Sequence, residues 1–225
     1  MRVVLFGASG AAGAAVLDEC IADSRIGAVI AVLRRPMKFA SPKVRVVVWG
    51  DFKDFSGIAA DLVDVRAVYY CLGVSQSQVS ERSTYVQITY DYAMSAARAI
   101  AKASPGAVFH FLSGAGTNSR GAMMWAQVKG QTEEALRTVQ GLGGVVCYRP
   151  GYIHPTQPRE GRQFAERLIR PLFPVLHSFR RLAISAPEFG RAMLQTTFDG
   201  ARDGVLENRD LRTLAERYAV PNDRA

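Results

Sequence analysis

At 225 residues and 48% hydrophobic content, the chain can bury roughly three quarters of the surface its unfolded form exposes, so a single compact domain spanning 1–225 is expected. The net charge of +8 and a pI near 9.7 raise nucleic acid as a partner, but the arginines are scattered and no aromatic-interleaved binding motif accompanies them, so none is expected. No run reaches the ~18 apolar residues of a membrane span, residues 2–6 lead into a glycine loop instead of a signal-peptide cleavage site, and Cys20, Cys71 and Cys147 lack the C-x-x-C spacing of a zinc site or a disulfide framework; a soluble protein of the reducing cytoplasm is the expectation.

In chain order, the run Val3-Val4-Leu5-Phe6 predicts a first strand. The loop Gly7-Ala8-Ser9-Gly10-Ala11-Ala12-Gly13 follows, then an alanine-rich helix over 14–23. Further strands are predicted over 28–33, 44–49, 67–72, 107–112 and 144–148, with helices over 85–103, 123–140 and 187–199. Gly141 and Gly143-Gly144 stop the helix over 123–140. Continuous β-branched runs without two-residue alternation describe strands buried on both faces. Strands of that kind separated by helices predict a doubly wound parallel sheet, the Rossmann form of α/β fold.

Between 155 and 187 the alternation fails, with Pro155, Pro158, Pro171 and Pro174 interrupting a basic amphipathic stretch. Phe164, Leu168, Ile169, Leu172 and Phe173 there accompany Arg162, Arg167, Arg170, Arg180 and Arg181. The stretch is read as a small substrate-side cap within the domain. It would close over an apolar small-molecule substrate, dock a protein partner or rest on anionic lipid; an ordinary surface helix is the plain alternative.

The string G-x-x-G-x-x-G gains meaning from its strand–loop–helix setting. Gly7 suits the tight turn, Gly10 lets backbone N–H groups approach a diphosphate, and Gly13 permits close helix–strand packing, with Ser9, Ala11 and Ala12 alongside. The helix N-terminus adds its partial positive charge. A nicotinamide dinucleotide is the expected ligand. At the end of the second strand, where an acidic residue would take a ribose 2′-hydroxyl, stand Arg34 and Arg35. Guanidinium forks match a 2′-phosphate, so NADP(H) is preferred over NAD(H), one of the two arginines being expected to remain a solvated loop charge. Asp51 and Phe52 fall where an adenine pocket or a plain surface turn would be, and Cys71-Leu72-Gly73 ends the fourth strand beside the cofactor's sugar.

With those residues in view, the chain resembles the short-chain dehydrogenase/reductase superfamily, and within its atypical branch the Tat-interacting-protein oxidoreductases, with NmrA-like proteins more distant. The resemblance runs through the glycine loop, Cys71-Leu72-Gly73, Asp91-Tyr92, Phe111-Leu112-Ser113-Gly114-Ala115-Gly116, Gln127-Val128-Lys129-Gly130, Arg149-Pro150-Gly151, Arg191-Ala192-Met193-Leu194 and Leu206-Glu207-Asn208. It implies a Y-x-x-x-K pair with a preceding serine: the tyrosine exchanges the substrate proton, the lysine lowers its pKa and holds the nicotinamide ribose, and the serine polarises the carbonyl. Lys129 and Ser113 match, with Gly114 where a second serine is usual, and Trp125 stands where the tyrosine would be. An indole N–H cannot replace a phenol as a proton donor, and loss of a positioned acid removes about 10²- to 10⁴-fold in rate. The resemblance also places Arg149, Pro150, Gly151 and Tyr152 beside the nicotinamide.

Tyr152 and His154 are therefore candidate substitute donors, with a loop tyrosine and a surface histidine as the plain readings. Tyr85 and Tyr92 read as packing residues, His110 as a satisfied buried histidine, and His177 as part of the cap. Two functional readings follow. One is an NADP(H)-dependent oxidoreductase acting on a small carbonyl or alcohol, in which Ser113, Lys129 and Trp125 form the reactive centre. The other is a non-catalytic NADP(H)-binding sensor that signals through the cap.

Overall fold

The structure, a computed structural model, describes residues 1–79, 81–156, 170–200 and 202–219. Its first half runs β1 (Arg2–Phe6), α1 (Ala11–Ala22), β2 (Ala28–Leu33), β3 (Val44–Val48), a 3-10 helix (Ser56–Leu62), β4 (Ala67–Tyr70), α2 (Arg82–Val86), a π-helical turn (Gln87–Asp91) and α3 (Tyr92–Ala103). The second half runs β5 (Val108–Leu112), α4 (Met124–Leu136), β6 (Gly144–Arg149), β7 (Tyr152–His154), a 3-10 turn (Arg170–Leu172), α5 (Phe173–Ser178), β8 (Ala183–Ser185), α6 (Ala186–Phe198), β9 (Gly204–Glu207) and α7 (Asn208–Arg217).

Seven strands make one parallel sheet in the order β3-β2-β1-β4-β5-β6-β9. The expected doubly wound α/β fold is present. β1 lies inside the sheet, between β2 and β4, and Val3, Val4, Leu5 and Phe6 are accordingly all fully buried, alternate residues facing opposite cores. Val3 and Leu5 pack with Val16 and Cys20 of α1, Phe189 and Met193 of α6 and Leu211 of α7. Val4 and Phe6 pack with Phe52, Phe55, Ala97 and Ile100 of α3, and Phe109. Phe6, Phe52 and Phe55 meet edge to face, with Phe6 and Phe55 centroids 5.6 Å apart, an arrangement that favours the ring quadrupoles.

Both edges of the sheet differ from expectation. β3 is not buried on both faces: Arg45 and Val48 are exposed on the outermost strand. β9 and α7 were not predicted, because Gly-Val-Leu-Glu alternates between half-buried and exposed positions, as the other edge of the sheet requires, and offers no continuous apolar run. The helix predicted over 85–103 begins earlier and contains the π turn, and that predicted over 123–140 ends at Leu136.

Within the expected cap, residues 157–169, and with them Pro158, Arg162, Phe164, Arg167, Leu168 and Ile169, lie outside the described residues. The described part is tied down by aromatic contacts and hydrogen bonds. Phe173 of α5 stacks on His154 at 3.9 Å and 13°. His177 Nε2 meets Glu188 Oε2 at 2.8 Å, and Glu188 closes a capping box with Ser185 at the start of α6. A short parallel pair, β7 with β8, joins this region to the end of β6.

His110 is fully buried in β5, and the expectation of a satisfied core histidine holds. Its Nδ1 lies 2.7 Å from the Tyr148 hydroxyl and its Nε2 3.2 Å from Thr197 Oγ1. Burial alone drives its pKa down to about 3, because the low-dielectric interior disfavours the imidazolium.

Candidate functional site

The sheet order reverses between β1 and β4, and a crevice at the carboxyl ends of such strands is where ligands of this architecture bind. Phe6 pairs with Tyr70 there. Gly7 turns the chain out of β1 at φ +80°, and a Cβ on it would lie 2.7 Å from the Cys71 carbonyl carbon and oxygen. A Cβ on Gly13 would lie 2.1 Å from the Gly7 carbonyl oxygen. Two separate requirements, a left-handed turn and a helix pressed onto its own loop, thus exclude side chains at these positions.

Gly10 donates its N–H to Gly7 O at 2.8 Å and forms the N-cap of α1, which has neither a side-chain cap nor an acidic residue in its first turn. The positive end of the helix dipole therefore faces the crevice without a carboxylate to cancel it. A cradle of this kind, walled by bare backbone, fits the diphosphate of a dinucleotide.

Two cavities flank the loop. One, of about 520 Å³, is lined by Gly7, Ser9, Gly10, Arg34, Arg35 and Phe52, with Val32, Leu33, Pro36 and Met37. The other, of about 840 Å³, is lined by Gly10, Ala11, Ala12, Ser113, Trp125, Lys129, Pro150, Gly151 and Tyr152. Gly10, Cys71, Leu72 and Gly73 border both, so the pair forms one groove bent around the glycine loop. Its walls also include Val74-Ser75-Gln76-Ser77 and Tyr85, which no motif in the sequence singled out. The polar run directly after Gly73 was the available signal.

Two expected cofactor residues are placed elsewhere. Arg149 borders neither cavity. Its Nε and Nη2 donate to both carboxylate oxygens of Glu133, at 3.0 and 2.7 Å, and its Nη1 reaches Glu207 at 3.2 Å. Glu133 is buried in α4, and a buried carboxylate demands such a fork. Asp51 is exposed and completes its own turn by accepting the Lys53 N–H at 2.9 Å, as the surface-turn alternative had it.

At the expected reactive centre, Lys129 Nζ donates to Ser113 O at 2.8 Å and to Leu112 O at 3.3 Å. Burial lowers its pKa to about 8 against a smaller opposing pull from Glu133, one turn along the helix. The Thr117 hydroxyl donates to Gly114 O at 2.7 Å, so its oxygen receives the Ser113 hydroxyl, 2.9 Å away. Trp125 packs its six-membered ring over the Gly114–Gly116 turn: Cβ atoms built on those glycines would lie 3.7 Å from its Cζ3 and Cη2. Tyr152 lines the groove, but its hydroxyl oxygen is buried. His154 stacks on Phe173 outside the cavity lining, and His177 serves the Glu188 contact.

No protein-family model matches the chain. Protein FMP52-1, mitochondrial, of Scheffersomyces stipitis is 22% identical over 226 residues, covering 97% of this chain and 99% of that protein. Protein fmp52, mitochondrial, of Emericella nidulans is 24% identical over 174 residues, covering 75% and 73%. Among solved structures, the dTDP-glucose 4,6-dehydratase DesIV of Streptomyces venezuelae, with NAD and TYD bound, matches with a TM-score of 0.67 at 17% identity, over 96% of this chain and 80% of that one. UDP-N-acetylglucosamine 4-epimerase of Bacillus cereus matches at 0.68 and 15% identity, over 95% and 83%. The fold is Rossmann-type. The likeness to these structures is one of fold and does not reach the Tat-interacting-protein branch. The cytoplasmic expectation is corrected: both curated relatives are named mitochondrial proteins. Among the described residues no helix is long and apolar enough to cross a membrane.

Proposed function

We propose that this protein is an NADP(H)-dependent oxidoreductase acting on a small carbonyl or alcohol substrate. The observation that carries the reading is the bent groove: a side-chain-free diphosphate cradle with a basic cavity on one side and the Ser113–Lys129 pair on the other. Gly7, Ser9, Gly10, Ala11, Ala12 and Gly13 would hold the diphosphate, Arg34 and Arg35 the 2′-phosphate, Phe52 the adenine side, and Cys71, Leu72 and Gly73 the sugar. Pro150, Gly151 and Tyr152 would border the nicotinamide. The smaller cavity has arginines and no acidic side chain among its lining residues, which favours the phosphorylated cofactor, although the DesIV structure holds NAD.

A bound nicotinamide would supply or accept a hydride. Ser113 and Lys129 would place the substrate oxygen at the end of β5, and Trp125 would shape the pocket in place of a phenol. The mitochondrial naming of the two relatives supports a mitochondrial setting.

Trp125 supports a second reading, a redox sensor that binds NADP(H) without turnover, since its ring rests on Gly114 and Gly116 in the position the resemblance gives to the catalytic phenol. Turnover of NADPH with a panel of aldehydes, ketones and quinones separates the two. Oxidation of NADPH by any of them supports the enzyme. Tight binding with no turnover, and a gain of activity only in Trp125→Tyr, supports the sensor.

A further inference from the structure

We propose that Lys129 is the proton-donating catalytic residue of this site, passing a proton from Nζ to the substrate's carbonyl oxygen in place of the absent phenol. The proposal rests on the oxidoreductase reading above and departs from the ribose-holding role that the resemblance implies for this lysine.

A lysine ammonium has three N–H groups, and two of them are fixed on Leu112 O and Ser113 O. One N–H remains for the groove that Lys129 lines. When that proton leaves, the neutral amine keeps two N–H groups for the same two carbonyls and turns its lone pair to the groove. The backbone clamp is thus satisfied in both protonation states, which an acid needs if it is to cycle without moving.

The other groups around the groove do not supply this proton. The Ser113 hydroxyl is turned to Thr117, whose own hydroxyl donates a hydrogen bond to Gly114 O. Cys71, from the end of β4, has its thiol pushed up to about 12 by burial, and burial also raises the Tyr85 phenol on α2. The Tyr152 hydroxyl oxygen on β7 is buried, and Tyr148 on β6 is raised by burial and bonded to His110. Glu133, the carboxylate nearest along α4, has both oxygens engaged by the Arg149 fork. Desolvation of the ammonium brings Lys129 into the range where an acid is useful at neutral pH.

A bound reduced nicotinamide would supply the hydride pair to the carbonyl carbon, whose π pair would move onto oxygen. That oxygen takes the Lys129 proton, and water reprotonates the amine. Reduction is expected to slow as pH rises through about 8, and alcohol oxidation to quicken over the same interval.

Two measurements test this. In the cofactor-free protein, trace acetylation of Lys129 followed by mass spectrometry against pH reads its titration directly. A midpoint near 8 is expected, and one at the ordinary lysine value of about 10.4 overturns the proposal. In Lys129→Arg, which keeps a cation and its donors but holds its proton at neutrality, NADPH binding should stay within about threefold while single-turnover reduction falls by about 10²- to 10⁴-fold. Unchanged reduction overturns the proposal, and so does parallel loss of binding and reduction, which would make Lys129 a cofactor holder. Failure of the wild-type protein to bind NADPH would instead sink the oxidoreductase reading, with the acetylation result still standing on its own.

Discussion

Replacing Arg149 with Met should destabilise the fold while leaving the cofactor affinity of the folded protein unchanged. Arg149 donates twice to Glu133, whose side chain is only 2% exposed, and once at 3.2 Å to Glu207, which is 51% exposed. The exposed contact contributes about 0–1 kcal/mol. Removing one partner of a buried pair costs about 3–5 kcal/mol, since the other charge is left without compensation. Arg149 is itself partly solvated, so the lower end, about 3 kcal/mol, is the expected loss. In a chain of this size that corresponds to a Tm lower by roughly 6–12 °C. Urea denaturation monitored by circular dichroism measures it, and adding Glu133→Gln should recover part of the loss. A fall below about 1 kcal/mol, the range of an exposed pair, or a weaker NADPH affinity at full folding, would refute the structural role assigned to this arginine.

Gly13→Ala forces a methyl group to within 2.1 Å of the Gly7 carbonyl oxygen; a loss of about 1–3 kcal/mol in stability and at least about tenfold in NADPH affinity is expected, read by denaturation and by cofactor fluorescence. The His110 pKa of about 3 lies below the ordinary value of 6.5, so the folded state binds fewer protons than the unfolded one. The corresponding stability is present above about pH 6.5 and is lost as pH falls toward 3, by about 2–3 kcal/mol between pH ~7 and ~4.5. Urea midpoints at those two pH values measure the loss, and His110→Gln should flatten the dependence; a wild-type midpoint that does not move would contradict it.

How far the sequence could be read depended on the range of the interaction. The glycine loop was legible because its requirements, a turn after β1 and a close helix start, fall within seven consecutive residues. The central strands were legible because burial on both faces leaves an unbroken apolar run. The fork of Arg149 onto Glu133 was not legible because that partner lies sixteen positions away on another element, and nothing local distinguishes a buried ion pair from a ligand contact. β9 and the β7–β8 pair escaped notice because short, half-exposed strands carry little pattern. The 74–77 wall and Tyr85 enter the groove through tertiary packing, which no spacing rule encodes. Ser113 and Lys129 were singled out through resemblance, and the two backbone carbonyls that hold the lysine come from the preceding strand and its end, beyond the reach of any spacing rule.

The central claim, that a phosphorylated nicotinamide dinucleotide lies along the groove, is tested most directly by calorimetric titration of the wild-type protein with NADPH and with NADH. Charge-assisted bonds from Arg34 or Arg35 contribute about 1.5–3 kcal/mol each, so NADPH should bind at least about tenfold more tightly than NADH. Equal or reversed affinities would contradict the assignment of the arginines, and no heat from either nucleotide at millimolar concentration would contradict the account as a whole.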